Sequence, residues 1–488
     1  MNQILPVLVL FTSLVPALVI FFIKESQQRT RTLVNLAGAV AKVALVGVML
    51  EGVARGVLYE TRLELLPGLE LLLRVDALSL LFLTLSAFLW LLTTVYAISY
   101  MGDGPHRSRF FGFFSLCVAA TTGVALSGTL ITFFIFYELL TLSTWPLVAH
   151  RGNAASIAAG RRYLTYTMIG SAVLLLGMVW LETLAGPVEF TFTGGLAQVD
   201  RTALQVIFWL LIAGLGVKTA LVPLHAWLPA AMVAPAPVSA LLHAVAVVKA
   251  GAFGIVRVIY DVYGTALLHD LALGVPLAML AAFTIIFGSV RALQQTDLKR
   301  RLAYSTVSQV SYIVLGASMF GPFATIGGLA HLVHQGLMKI TMFFAAGALT
   351  ERLGVTRVDE LDGIGRAMPW TAAALSIGAL GMIGLPPMAG FISKWYLGVG
   401  AFQGGQAWVV LVLIGSSLLN AMYFLPLVYR AWFLPPLQAA EPGRERPVGL
   451  IAPAVVSAAV SVLVGALAAM PFSPLTWAAL IVERTYAP

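Results

Sequence analysis

The sequence predicts an all-α integral membrane protein of about fourteen transmembrane helices, two of them broken at membrane depth. Three observations carry that expectation. The first is composition: 60% of the 488 residues are hydrophobic and only 10% charged, with a mean hydropathy of +0.94, whereas a soluble domain carries about 25% charged residues. The second is length, because apolar runs of the roughly 20 residues that a helix needs to cross a bilayer recur along the whole chain. The third is punctuation. Two of those runs are interrupted by clustered prolines, and each interruption has a lysine beside it.

In chain order the runs lie near 3–23, 33–51, 77–101, 109–127, 129–149, 163–182, 203–223, 238–260, 265–290, 303–320, 323–349, 370–400, 405–432 and 449–471. The first, from Ile4 to Ile23, has no basic segment before it and no small-residue cleavage site after it, so it reads as a retained helix and not a signal peptide. The longest gaps, 52–76 and 183–202, are too short for an independent core. Short loops rich in Lys and Arg stay cytoplasmic. With fourteen helices, one set of alternate loops holds eighteen of the 29 Lys and Arg, from Lys24 and Arg29 through Arg300 and Arg301 to Arg444 and Arg446. The other set, with the C-terminal tail, holds only Arg55, Arg62, Arg74, Arg201 and Arg484. Both termini are therefore expected outside the cell membrane. The net charge of +8 follows from this asymmetry, and a nucleic-acid partner loses its support. A single cysteine, Cys117, excludes a disulfide framework and any multi-cysteine zinc or iron–sulfur site held by this chain alone, and no cofactor is expected.

The remaining six cations stand inside spans: Lys42, Lys218, Lys249, Arg257, Lys339 and Lys394. A charge at the bilayer centre costs roughly 3 kcal/mol or several times more, so each needs a partner or a task. Arg257, near a helix end, is expected to snorkel; Lys42 has no assignable task. Among twenty-one acidic residues only Glu138, in ITFFIFYELLTLSTW, lies deep in a span. One buried acid among several buried lysines predicts an ion pair, since an acid apart from them would leave both kinds of charge uncompensated. Histidines extend the set: His225 at the seventh-run interruption, His243 in the eighth run, and His331 and His334 in the eleventh. The last two are three apart and share a helix face, with Lys339 five residues beyond His334. They read as a proton relay. A metal site is not expected, because no carboxylate or thiol stands near them at ligand spacing.

From Leu215 to Tyr260 the chain reads LGVKTALVPLHAWLPAAMVAPAPVSALLHAVAVVKAGAFGIVRVIY, with Lys218 before Pro223, Pro229, Pro235 and Pro237 and with His243 and Lys249 after them. Clustered prolines free backbone carbonyls, which at membrane depth is tolerated only beside protein or a water-filled cavity. GALGMIGLPPMAGFISKWYL repeats the theme with Gly384, Pro386, Pro387 and Gly390, but Lys394 follows its break. The breaks fall five helices apart. Two inverted five-helix units are expected, 109–262 (helices four to eight) and 263–434 (helices nine to thirteen), with helices one to three in 1–108 and helix fourteen in 435–488.

PLHAWLPAAMVAPAPVSALLHAVAVVKAG resembles the signature of the antiporter-like subunits shared by respiratory complex I, Mrp-type cation/proton antiporters and membrane-bound hydrogenases. TDLKRRLAYSTVSQVSYI and GLPPMAGFISKW are similar to that family's tenth- and twelfth-helix motifs, and the resemblance covers roughly residues 70 to 435. It implies fourteen core helices, two inverted half-channels and ion translocation without bound redox cofactors. By residue match it implies that Glu138 is the fifth-helix glutamate, Lys218 the seventh-helix lysine and Lys394 the twelfth-helix lysine. His243, His331 and Lys339 match linking positions along the membrane midplane. Within the family the chain looks nearest to the D-type Mrp subunit, through its length, Lys249 and the His334 to Lys339 spacing. Two departures bear on the route: Ala230 stands where many relatives carry an acid, and Gln335 where complex I members often carry a histidine.

Burial strips a lysine of its proton and a nearby carboxylate restores it. Lys218 is therefore expected to stay protonated while paired with Glu138 and to pass its proton to Lys249 or His243 when the pair loosens, with His331, His334 and Lys339 leading to Lys394. Three functions follow: a proton-translocating subunit of a multi-subunit sodium/proton antiporter in a bacterial or archaeal cell membrane, a pumping subunit of a complex I-like or hydrogenase-like redox enzyme, or a non-translocating scaffold. In each the expected partners are other membrane subunits. The counter-ion, sodium or another, is assigned to the assembly, because no second carboxylate lies deep in a span to bind a hard cation.

Overall fold

The structure, a computed structural model, describes residues 2–66, 69–190, 195–436 and 445–486. Arg444, counted above among the basic loop residues, lies outside the described residues. In order the elements are α1 (Leu5–Phe22), α2 (Gln28–Ala54), β1 (Tyr59–Leu66), β2 (Leu69–Val75), α3 (Ala77–Met101), α4 (Arg107–Leu126), α5 (Leu130–Val148), α6 (Ala154–Ala185) and α7 (Arg201–Thr219). There follow α8 (Trp227–Ala230), α9 (Ala236–Ala244), α10 (Val247–Arg257), α11 (Thr265–Asp270), α12 (Gly274–Leu293), α13 (Leu298–Ser318), α14 (Pro322–Leu353) and α15 (Ile364–Ala367). The chain closes with α16 (Pro369–Ile383), α17 (Ala389–Gln403), α18 (Trp408–Phe433), α19 (Val448–Ala466) and α20 (Pro474–Tyr486).

Every apolar run named above is helical over most of its length. By length and composition twelve helices among the described residues can cross a membrane, taking Ala236–Tyr263 as one. Two runs fall outside that set for visible reasons. The helix α13 is 21 residues long but rich in Ser, Thr, Gln and Arg, and the twelfth run is divided into α16 and α17. Exposed faces carry Leu18, Val40, Leu176, Phe283 and Leu418, apolar side chains suited to lipid. Thr129, Asn153, Asp200 and Asp297 cap the starts of α5, α6, α7 and α13, each accepting the backbone N–H of the residue three positions on.

Three features depart from the expectation of plain spans and loops. The gap at 52–76 holds an antiparallel hairpin, β1 on β2, in register from Tyr59 opposite Val75 to Glu64 opposite Glu70. The eighth run is not continuous: Val245 and Ala246 leave helical geometry between α9 and α10, and a π-helical segment, Val258–Tyr263, follows α10. A thirteen-residue helix, α20, follows α19.

Two compact units account for the chain. One comprises Met1–Leu91, Gly104–Trp227 and Ala246–Ala278. Its α7 is wedged tightly between α6 and α10, because a Cβ on Gly214 would stand 2.6 Å from that of Leu174, and one on Gly251 would stand 2.5 Å from the Thr219 nitrogen. Glycines there let the backbones approach. The other unit comprises Leu92–Asp103, Leu228–Val245 and Met279–Pro488. Its axis is α14, buried without interruption from Gly327 to Leu349. A helix hidden on all sides can display its polar residues only to the protein interior.

Candidate functional site

In the first unit α5, α6 and α7 assemble the expected ion pair. Lys218 is 1% exposed and its Nζ lies 4.0 Å from Glu138 Oε1, while the glutamate side chain is 19% exposed. The ammonium donates to the Tyr137 carbonyl and sits 3.2 Å from the centre of the Tyr137 ring, so one residue of α5 offers it both a carbonyl and a π face. Ser171 of α6 donates to the same Glu138 oxygen. Lys218 therefore meets its acid at the edge of ion-pair distance, with a neutral donor competing for that acid.

The break after α7 explains how the lysine is free to reach α5. Ala220 takes the left-handed conformation (φ 61°) and ends the helix. Leu221 N–H returns to the Gly216 carbonyl at 2.9 Å, and the buried Trp227 indole donates to the Val217 carbonyl at 2.7 Å. Other groups thus satisfy the carbonyls released by the break. Lys249 is fully buried on α10, two residues from the Gly251 contact with Thr219.

In the second unit His331, His334, Gln335 and Lys339 are all buried on α14. His331 shares a hydrogen bond of 2.8 Å between its Nδ1 and Ser393 Oγ, and its ring lies 5.1 Å from that of Tyr312. Lys394, next to Ser393, places its Nζ 5.5 Å from the centre of the Tyr312 ring. The same Nζ donates to the carbonyls of Met382 at 3.1 Å and Ile383 at 2.8 Å and to Ser417 at 3.2 Å. Lys339 turns toward α13, donating to Ser305 Oγ and, at 3.3 Å, to the Leu302 carbonyl. His243 of α9 stacks on Phe343 of α14 at 4.6 Å. Both ring nitrogens of His243 and both amide atoms of Gln309 and Gln335 are buried without a hydrogen-bond partner among the described residues. Each such group costs about 1–3 kcal/mol unless water supplies the bond.

Sequence reasoning found every charged member of these two sites and missed their neutral partners. Ser393 was accessible as the neighbour of Lys394. Tyr137, Ser171, Trp227, Ser305, Tyr312 and Ser417 join only through the fold.

Two further cations are resolved. Lys42 is buried with Nζ donating to Ser13 at 3.0 Å and to Thr122, 4.8 Å from the Trp90 ring centre. Arg257 does not snorkel. It is 2% exposed and paired with Asp76 and Asp261, each at 2.7 Å; Asp261, four residues on, shares its helix face. Ala230 ends the short helix α8.

Residues 127–420 match the family described as NADH:quinone oxidoreductase/Mrp antiporter, TM, and residues 68–111 match NADH-Ubiquinone oxidoreductase (complex I), chain 5 N-terminus. The chain is 39% identical over 387 residues to the N-type subunit of NADH-quinone oxidoreductase from Desulforudis audaxviator, covering 78% of this chain and 76% of that one. It is 25% identical over 473 residues to the D-type subunit of the Na(+)/H(+) antiporter from Bacillus subtilis, covering 95% and 93%. Its fold superposes with a TM-score of 0.88 and 23% identity on a chain of the Mrp complex from Dietzia sp., covering 100% of this chain and 98% of that one. With that extent of match, the chain belongs to the NADH:quinone oxidoreductase/Mrp antiporter family of transmembrane subunits.

Proposed function

We propose that the chain is the proton-translocating subunit of a multi-subunit Na+/H+ antiporter in a bacterial or archaeal cell membrane, with both termini outside. The observation that carries this is Lys218, buried at a helix break 4.0 Å from Glu138. A lysine so placed keeps its proton while the carboxylate is near and yields it when the carboxylate withdraws. Ser171, which already donates to Glu138, is the neutral donor that holds the acid when the pair opens. The proton then passes to Lys249 or His243, and through His331, His334 and Lys339 to Lys394. The partnerless buried atoms of His243, Gln309 and Gln335 support water along this route. The breaks beside Lys218 and Lys394 serve as the two half-channels of inverted units 109–262 and 263–434. The nearly full-length likeness to the D-type subunit of a Na(+)/H(+) antiporter supports Na+ as the counter-ion of the assembly.

A second reading, a pumping subunit powered by electron transfer, is favoured by the 39% identity to a subunit of NADH-quinone oxidoreductase. One preparation separates the two: the native assembly in proteoliposomes, its chains identified by mass. Proton movement driven by a Na+ gradient, without iron–sulfur chains and lost in Lys218→Ala, establishes the antiporter. Co-purifying iron–sulfur chains establish the redox pump, and full proton movement in an intact Lys218→Ala assembly rejects translocation through this pair.

A further inference from the structure

Arg257 anchors a cluster that the Glu138 to Lys394 route does not use. Its Nη1 and Nη2 donate to Asp76 Oδ2 at 2.7 Å and Oδ1 at 3.0 Å. Nη1 also donates to Asp261 Oδ2 at 2.7 Å, and Nη2 to Ser79 Oγ at 2.8 Å. One guanidinium therefore faces two carboxylates, so the cluster has one negative charge in excess. Arg74, whose charge also acts on Asp261, is itself shared between Glu60 at 2.7 Å and Glu189 at 2.8 Å, and Arg62 is shared among Glu60, Glu70 and Glu189. Burial raises the Glu60 carboxyl, but hydrogen bonds from Arg74 and Arg62 outweigh it and leave it below the usual range. The Arg62 hydrogen bond likewise holds Glu189 down. Glu60 and Glu189 therefore stay ionised and hold Arg74 and Arg62 by direct ion pairs.

The two aspartates differ. Asp76 has both oxygens bound, Oδ1 also accepting the Ser79 backbone N–H at 2.7 Å; it is a fully solvated carboxylate in protein form. Among the described residues Asp261 is hydrogen-bonded through Oδ2 alone, which leaves its Oδ1 for a proton or water. Beside it Arg257 Nε is buried without a hydrogen-bond partner among the described residues, a donor that a water molecule could satisfy. The site stands on the helix of Lys249, twelve residues and roughly 18 Å further along. Between them α10 is apolar, with Phe253 packed 5.0 Å from Phe82 and 5.1 Å from Arg257.

We propose that Asp261 is the proton-exchange group at the hairpin end of the first unit, taking a proton from water there on Oδ1 and releasing it, through transient water past Phe253, to the Lys249 amine. This rests on the translocation reading above and adds to its path a further proton entry that joins at Lys249. Asp261 as the acceptor balances the cluster: one proton on one of two carboxylates leaves Arg257 and Asp76 as a neutral pair.

The test uses the full chain in its native assembly, with protons as the probe. Infrared difference spectra between neutral and mildly acidic buffer, wild type minus Asp261→Asn, should contain a protonated-carboxyl band; wild type minus Asp76→Asn should not. Asp261→Asn should slow proton movement about tenfold or more, and Asp261→Glu should restore both band and rate with a shifted pH midpoint. No band in the Asp261→Asn subtraction, or a slow Asp261→Asn that melts early and is not rescued by Asp261→Glu, overturns the proposal in favour of a structural ion cluster. Lys218→Ala keeps the two questions apart. If it abolishes transport and the band is missing, only the role of Asp261 fails; if it transports fully, the translocation reading fails whatever the spectra show.

Discussion

The breaks after α7 and after α16 share a sequence signature, and the structure uses their lysines in opposite ways. After α7, the Trp227 indole and the Leu221 N–H serve the carbonyls of Val217 and Gly216, and Lys218 crosses to α5 and the edge of Glu138. After α16, Lys394 itself serves the carbonyls of Met382 and Ile383, and Ser417 is its third, also neutral, partner. Both ammonium groups lie at the C-terminal end of a helix, whose partial negative charge favours a cation. What separates them is which group completes the backbone. A lysine that completes a backbone is held in place, whereas one that faces a carboxylate at 4.0 Å with Ser171 beside it can change partners.

The largest expected effects come from deleting each lysine. Lys218→Ala should lower proton movement about a hundredfold or more with little change in melting temperature. Lys394→Ala should also slow transport, but it strips a donor from two interior carbonyls, of which Met382 keeps the Asn420 amide at 3.3 Å and Ile383 is left unsatisfied at about 1–3 kcal/mol, and it should lower the melting temperature by a few degrees. Differential scanning fluorimetry of both variants checks this; equal thermal losses would erase the distinction. Next in size is Glu138→Gln, which keeps an acceptor for Ser171 while removing the charge. It should slow transport about tenfold or more at unchanged stability, and full activity would show that Lys218 has no need of its acid. Smaller again is Trp227→Phe, which keeps the ring edge against Tyr163 but leaves the Val217 carbonyl with the Ala220 N–H, at 3.1 Å, in place of two donors. If the indole is what frees Lys218, the lysine should turn back to that carbonyl, and transport should fall a few-fold at a stability cost of about 1 kcal/mol for the one hydrogen bond lost.

The difference between the breaks also marks what the sequence could express. Helices and charges were legible because hydrocarbon permits so few exceptions: Glu138, Lys218 and Lys394 stand out against apolar runs, and prolines announce the interruptions. The neutral partners were not, since Trp227 and Ser171 look like any residues of a buried helix until the fold aims them at a carbonyl or a carboxylate. The interruption at Val245 and Ala246 carries no proline or glycine, so nothing local signalled it. The hairpin did leave a signal. Two leucine-rich runs flank the dipeptide Pro67-Gly68 in the sequence, a turn cue obscured by reading for spans alone. Arg257 pairs where snorkelling was expected for two reasons: Asp76 lies 181 positions away and meets it only through the fold, and Asp261, though at the i,i+4 spacing of a helical ion pair, falls one residue past the run that ends at 260.

The smallest expected effects concern the residues that turn the chain at each break. Gly384 has φ +94°, and a Cβ there would lie 2.9 Å from Lys394 Cδ and 3.3 Å from its Nζ. Gly384→Ala should therefore cost about 1–3 kcal/mol through backbone strain and push the lysine off the carbonyls it completes. Ala220 does the corresponding job after α7 at φ +61°, already a strained conformation for a residue with a side chain. Ala220→Gly relieves the strain but gains unfolded-state freedom, so it should change stability by no more than about 1 kcal/mol. Because Lys218 does not depend on the carbonyls of its own break, transport should be unchanged. A loss of transport in Ala220→Gly at normal stability would mean that the position of Lys218 is set by its own turn after all, and the two breaks would then work alike.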